Sequence, residues 1–157
     1  MNIPSKEECL KILKDNKTPS NVIEHSKAVC EFALELTNKL GKKGTKINKK
    51  LVIAASLLHD IKRVEDNHII KGVNLLNKLG FPEIAIIIKK HGLSNIHKEE
   101  YKPKTIEEKI VFYADKRARG NKIVSLKERF DDLKARYHKG TKEEFEFTKK
   151  IEKQLNQ

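Results

Sequence analysis

The sequence predicts an all-α fold, a single helical bundle, and three observations carry that prediction. Helix-start signals recur along the chain, strand signals are sparse, and 157 residues suit one domain with its own core. The start signals are of one kind. Ser5 to Glu8 (SKEE), Thr105 to Glu108 (TIEE), Ser125 to Glu128 (SLKE) and Thr141 to Glu144 (TKEE) each place a hydroxyl three residues before a carboxylate. In such a box each side chain satisfies a backbone N–H that the first helical turn leaves without a partner.

Taken in order, the first helix follows the box at Ser5. Ser20 is expected to cap a second helix through about Leu40, with an apolar face of Val22, Val29, Phe32 and Leu36. The Lys-rich stretch NKLGKKGTKINKK at 38–50 reads as a solvated loop, with a phosphate-attracting rim as the alternative. Asn48 is expected to cap a helix through about Arg63. Gly80 then closes one helix, and Pro82 sits in the first turn of the next. The β-branched run at 84–88 reads as helix, because Ile84, Ile87, Ile88 and His91 share one face at i, i+3, i+4 and i+7. From Ser125 to Gln157 the apolar faces are modest, notably Leu126, Phe130, Leu133 and Tyr137, and suit packing on the bundle or a dimer contact.

A net charge of +12 invites a nucleic-acid partner, since clustered cations neutralise phosphates. Its make-up argues otherwise: only Arg63, Arg117, Arg119, Arg129 and Arg136 of the 34 basic residues are Arg, a bias that also follows from an AT-rich genome. Nucleic acid is therefore a partner the charge allows without favouring. No apolar segment approaches the ~20 residues needed to span a bilayer, and the amino terminus is too polar for a signal peptide, so a cytoplasmic protein is expected. Cys9 and Cys30 lack zinc-site spacing and read as small buried thiols.

Several polar residues break the apolar pattern. His25 falls on the apolar face of its helix, three after Val22 and four before Val29. His59 and Asp60 close the most hydrophobic segment, LVIAASLLHD, while His91 ends another apolar face. Asp115 lies four after Val111 and three after Phe112, which turns its carboxylate inward. Buried imidazoles and carboxylates need partners. One divalent cation would satisfy several at once, because both groups are ordinary ligands for Zn, Mn, Fe and Co.

The segments EHSKAV, AASLLHDIKR and VFYADKR together resemble the HD superfamily of metal-dependent phosphohydrolases, whose signature is H…HD…D. The match runs over roughly residues 20–120. The resemblance implies a helical bundle in which His25, His59, Asp60 and Asp115 ligate one metal. A dinuclear subset, including diadenosine-tetraphosphate hydrolases and cyclic-dinucleotide phosphodiesterases, carries extra histidines between the HD pair and the last aspartate. His68 and His91 stand there, and Asp60 would then bridge two ions. The chain reads HDIKR where many members read HDIGK, so Lys62 replaces a glycine while Arg63 keeps the basic position. The GYP motif of cyclic-di-GMP phosphodiesterases is missing from the sequence, and the Glu65–Asp66 pair lies further from the HD than in guanosine-tetraphosphate hydrolases.

The expected function is hydrolysis of a phosphoester or phosphoanhydride in a small nucleotide-like substrate, by water activated on one or two divalent ions. Asp60 and Arg63 are the expected catalytic residues, and Lys62, Arg63, Lys116 and Arg117 the expected phosphate contacts. Glu65 or Asp66 is a weaker candidate for proton transfer. The alternatives are a non-catalytic metal-containing module that binds nucleotide or regulates, and a nuclease or RNA phosphatase. The oligomeric state is left open between monomer and homodimer.

Overall fold

The computed structural model describes residues 1–156. Among the described residues, eight α-helices form the bundle: α1 (Lys6–Asp15), α2 (Ser20–Lys42), α3 (Lys49–Leu58), α4 (His68–Lys78), α5 (Pro82–Lys89), α6 (Ile106–Lys116), α7 (Leu126–Tyr137) and α8 (Lys142–Leu155). Two short strands, β1 (Ala118–Arg119) and β2 (Lys122–Ile123), pair antiparallel between α6 and α7. This hairpin is an addition to the all-helical expectation. Its two-residue turn has Gly120 at φ +59, the left-handed conformation that glycine adopts without steric cost.

The capping chemistry accounts for most helix starts. Ser5, Thr105 and Thr141 make reciprocal boxes with Glu8, Glu108 and Glu144, whereas Ser125 accepts from the Glu128 N–H without the return bond. The Asn48 side chain caps α3 by accepting from Leu51 N–H. Ser20 is not a cap. It is the first helical residue, and the Pro19 carbonyl instead accepts from Val22 and Ile23. Gly80 at φ +88 closes the turn after α4, and Pro82 opens α5.

The core lies where α2, α3 and α6 meet. Seven of the ten residues of α3 are buried, Ala54 and Ala55 among them, and α2 packs along this helix. Helices α1 and α5 pack on α3, α4 packs on α5, and α8 packs on α6. Cys9 and Cys30 are buried in this core as free thiols. Of the C-terminal apolar residues, Leu126, Phe130 and Leu133 are buried while Tyr137 is exposed. Among the described residues, no helix is long and apolar enough to cross a membrane.

Helix α3 ends at Leu58, five residues short of the expected Arg63. Residues 58–65 continue in tight turns, with Ile61 N–H to Leu58 O, Arg63 N–H to Asp60 O and Glu65 N–H to Lys62 O. The Thr18 hydroxyl donates to the Ile61 carbonyl at 3.2 Å, and the buried Ile61 anchors the turn. The unwinding places His59 and Asp60 at the bundle's centre.

Candidate metal centre

Four histidines and two aspartates converge from five segments. His25 comes from α2, His59 and Asp60 from the turn after α3, His68 from the first residue of α4, His91 from the turn after α5, and Asp115 from the last turn of α6. They form two groups that share Asp60: His25, His59, Asp60 and Asp115, then Asp60, His68 and His91. Within each group the candidate ligand atoms all lie within 4.8 Å of one another.

The shared carboxylate divides its oxygens between the groups. Asp60 Oδ2 lies 3.5 Å from His59 Nε2 and 3.7 Å from His25 Nε2, while Oδ1 lies 3.4 Å from His91 Nε2 and 3.9 Å from His68 Nε2. Asp115 Oδ1 faces His25 Nε2 at 3.0 Å and His59 Nε2 at 3.2 Å. Its other oxygen is held by the Lys116 ammonium at 2.7 Å.

Backbone carbonyls fix three of the imidazoles. His59 Nδ1 donates to Ser56 O at 2.7 Å, His91 Nδ1 to Ile88 O at 2.6 Å and His25 Nδ1 to Gly120 O at 2.7 Å. A carbonyl only accepts, so each Nδ1 carries a proton, and Nε2 is the ring atom left to face the carboxylates. Lone pair against carboxylate oxygen is unfavourable unless a positive charge stands between them. A proton can serve at His59: burial works to lower its pKa, yet Asp60 and Asp115 overcome that and hold it at about 9. The two aspartates show the converse. Burial would raise both, but His59 and His91 hold Asp60 below the usual carboxylate range, and Lys116 and His59 do the same for Asp115.

The donor set fits divalent ions on a separate count. Asp60 Oδ1 is buried and has no hydrogen-bond partner among the described residues, an arrangement costly for a carboxylate and relieved by a cation between it and the His68 and His91 nitrogens. Imidazole nitrogen and carboxylate oxygen suit Zn, Mn, Fe and Co alike.

The expected phosphate contacts fare differently from one another. Arg63 stands at the mouth of the second group, with Nη1 3.4 Å from His68 Nε2. Lys62 pairs with Glu65 at 3.3 Å, and Glu65 also meets Lys71 at 3.6 Å, so this carboxylate is engaged on the surface. Lys116 is not a surface cation: it is buried and bridges Asp115 and the His91 carbonyl. Arg117 turns away from the imidazoles, bonding Val124 O and the Tyr113 hydroxyl with its guanidinium over Phe32. Sequence reasoning missed Lys139, on the loop between α7 and α8. Burial first and then the charges of Arg63, His91 and Lys139 lower the His68 pKa against the pull of Asp60. It also missed the Gly120 carbonyl, although Gly120–Asn121 between two short runs is a hairpin signal.

Comparison with known proteins gives a family and several relatives. The chain is 38% identical over 147 residues to an uncharacterized protein of Methanocaldococcus jannaschii, covering 85% of this chain and 84% of that protein. It is 33% identical over 143 residues to the tRNA (cytidine(56)-2'-O)-methyltransferase of Picrophilus torridus, and 31% identical over 168 residues to that of Thermoplasma volcanium. These matches cover 82% and 98% of this chain but only 40% and 47% of the two methyltransferases, less than half of each. No solved structure matches. Residues 22–120 match the HD domain, a span that contains all six clustered ligand candidates and ends at the glycine whose carbonyl holds His25, so the chain belongs to the HD domain family of the metal-dependent phosphohydrolase superfamily.

Proposed function

We propose that the chain hydrolyses a phosphoester or phosphoanhydride bond of a small nucleotide-like substrate, using two divalent ions. The observation that carries this reading is the Asp60 carboxylate, with one oxygen toward each of two ligand groups. His25, His59, Asp115 and Asp60 would hold one ion, and Asp60, His68 and His91 the other. Bound there, divalent ions supply Lewis acidity that polarises phosphate oxygens and acidifies water. The chain's own residues supply the rest. Arg63, beside His68, offers a planar fork for two non-bridging phosphate oxygens, and Lys139 adds positive charge on the same side. Lys116 keeps Asp115 ionised and leaves one of its oxygens free for a ligand role. The buried Leu57, Leu58 and Ile61 back the turn that presents His59 and Asp60.

The test is metal content and turnover on one preparation made without chelator. The wild-type chain should carry two ions and release phosphate or nucleotide from dinucleoside polyphosphates or related anhydrides. Asp60→Ala should lose both ions and fall at least 10²-fold in turnover, while Arg63→Ala should keep its ions and lose substrate affinity. A folded Asp60→Ala chain with undiminished turnover would sink the reading.

A second reading is a metal-holding module that binds RNA or nucleotide without turnover. One observation favours it: two relatives named as tRNA methyltransferases contain a segment like this chain as less than half of their length. In that case tRNA binding would fall steeply with salt, and a broad phosphate-substrate panel would stay unreacted.

A further inference from the structure

The three carbonyl-bound histidines are not held alike. His59 and His91 each donate to a carbonyl three residues back on their own turn, so local backbone sets their aim. His25 donates to Gly120, 95 residues away, at the tip of the β1–β2 hairpin. Its aim therefore depends on where the hairpin sits.

The hairpin is clamped at its base by Arg117. The Val124 N–H donates to the Arg117 carbonyl at 2.7 Å, and the Arg117 Nε donates back to the Val124 carbonyl, closing the loop from both sides. The Arg117 Nη1 reaches the Tyr113 hydroxyl at 2.7 Å, and Tyr113 in turn donates to Glu152 of α8. Farther along the hairpin, Arg119 Nε lies 3.5 Å from Asp132 of α7. Both ties lead into helices that lie beyond the segment matched to the HD domain.

We infer that Arg117 is a positioning residue: by clamping the hairpin to α6 and α8 it places the Gly120 carbonyl that fixes the tautomer and aim of His25. This rests on the reading of His25 as a metal ligand, and it assigns the C-terminal helices a part in the metal centre without touching an ion. Outer partners of metal-bound histidines typically change affinity by about 10- to 100-fold when removed.

The experiment is a double-mutant cycle on the full chain with cobalt(II) as the probe, supported by nitrogen-15 histidine spectra of the ion-free chain. Arg117→Gln should weaken cobalt binding tenfold or more in the wild-type background and less than twofold in the His25→Ala background. In the spectra, the His25 Nδ1–H signal should be lost from Arg117→Gln while those of His59 and His91 persist. An equal loss of cobalt affinity in both backgrounds, no loss in either, or simultaneous loss of all three Nδ1–H signals would overturn the assignment. If the wild type binds no cobalt, the proposed metal-dependent function fails, while the His25 signal still decides the role of Arg117.

Discussion

Lys116 shows how a single buried charge sets the chemistry of its neighbours. Its ammonium is surrounded by Asp115 Oδ2 at 2.7 Å, the His91 carbonyl at 2.6 Å and the face of Phe112. Removing one partner of a buried pair leaves the other charge without compensation, at a cost of about 3–5 kcal/mol. Lys116→Met should therefore destabilise the ion-free chain by about that amount, read by chemical denaturation; a loss below about 1 kcal/mol would show that water reaches Asp115. Tyr113 yields a pH prediction on the alkaline side. Burial first and the Glu152 carboxylate second push its pKa up to about 12, with Arg117 opposing. A group raised in the folded state stabilises fully below its unfolded pKa of about 10, and that contribution disappears as pH climbs toward about 12. Ultraviolet titration should find one tyrosine still protonated at about pH 11, a signal missing from Tyr113→Phe and released on unfolding. At this scale the sequence showed which residues were anomalous, because His25, His59, Asp60, His91 and Asp115 sit where apolar side chains belong. Burial of Lys116 and the bonding of Arg117 to Val124 and Tyr113 were not legible. Both depend on neighbours distant in sequence, and a basic residue beside an aspartate looks the same on a surface as in a core.

Among the elements, α6 is the one most strongly specified at its start. Glu108 is buried and accepts from the Lys104 N–H at 2.6 Å, the Thr105 N–H at 3.1 Å and the Lys90 ammonium at 3.0 Å, while the Thr105 hydroxyl accepts from the Glu108 N–H. Thr105→Ala removes one cap bond, for a loss of about 1 kcal/mol. Glu108→Ala strands two backbone donors and a half-buried lysine, for about 3 kcal/mol. Equal losses in the two variants, measured by denaturant unfolding, would mean that the carboxylate acts only as a cap. Such starts were legible because a capping box is local, made within four residues. Helix ends were less so. Nothing between Leu58 and His68 is a glycine or proline, yet the chain leaves the helix at Leu58, where the long-range bond from Thr18 to the Ile61 carbonyl and the burial of Ile61 win over local propensity. The hairpin likewise earns its place through His25 and Arg117, contacts that a window of a dozen residues does not contain.

Over the whole molecule, a chain of net charge +12 encloses a cluster whose two carboxylates are balanced in the ion-free chain by the Lys116 ammonium and by His59, whose pKa is raised to about 9. The two features respond differently to added salt. Any electrolyte screens repulsion among surface lysines, so stability rises with ionic strength whatever the ion. A divalent ion that takes the cluster acts in addition, because the unfolded chain scatters the six ligands and binding belongs to the folded state alone. At a free concentration about 100 times its dissociation constant, a one-site ion stabilises by about 2.7 kcal/mol. For a chain of this size that corresponds to a rise in melting temperature of about 5–10 °C. The comparison must be made at matched ionic strength, with sodium chloride replacing manganese, cobalt or zinc, so that screening is common to both samples. Under those conditions the wild type should melt higher with the divalent ion and return on adding chelator, whereas Asp60→Asn, which keeps the side-chain volume but loses the shared charge, should melt at one temperature in both. A midpoint that shifts equally in the variant would assign the effect to ion binding at groups other than Asp60; a midpoint that shifts only in the wild type ties stability to the carboxylate on which both ligand groups converge.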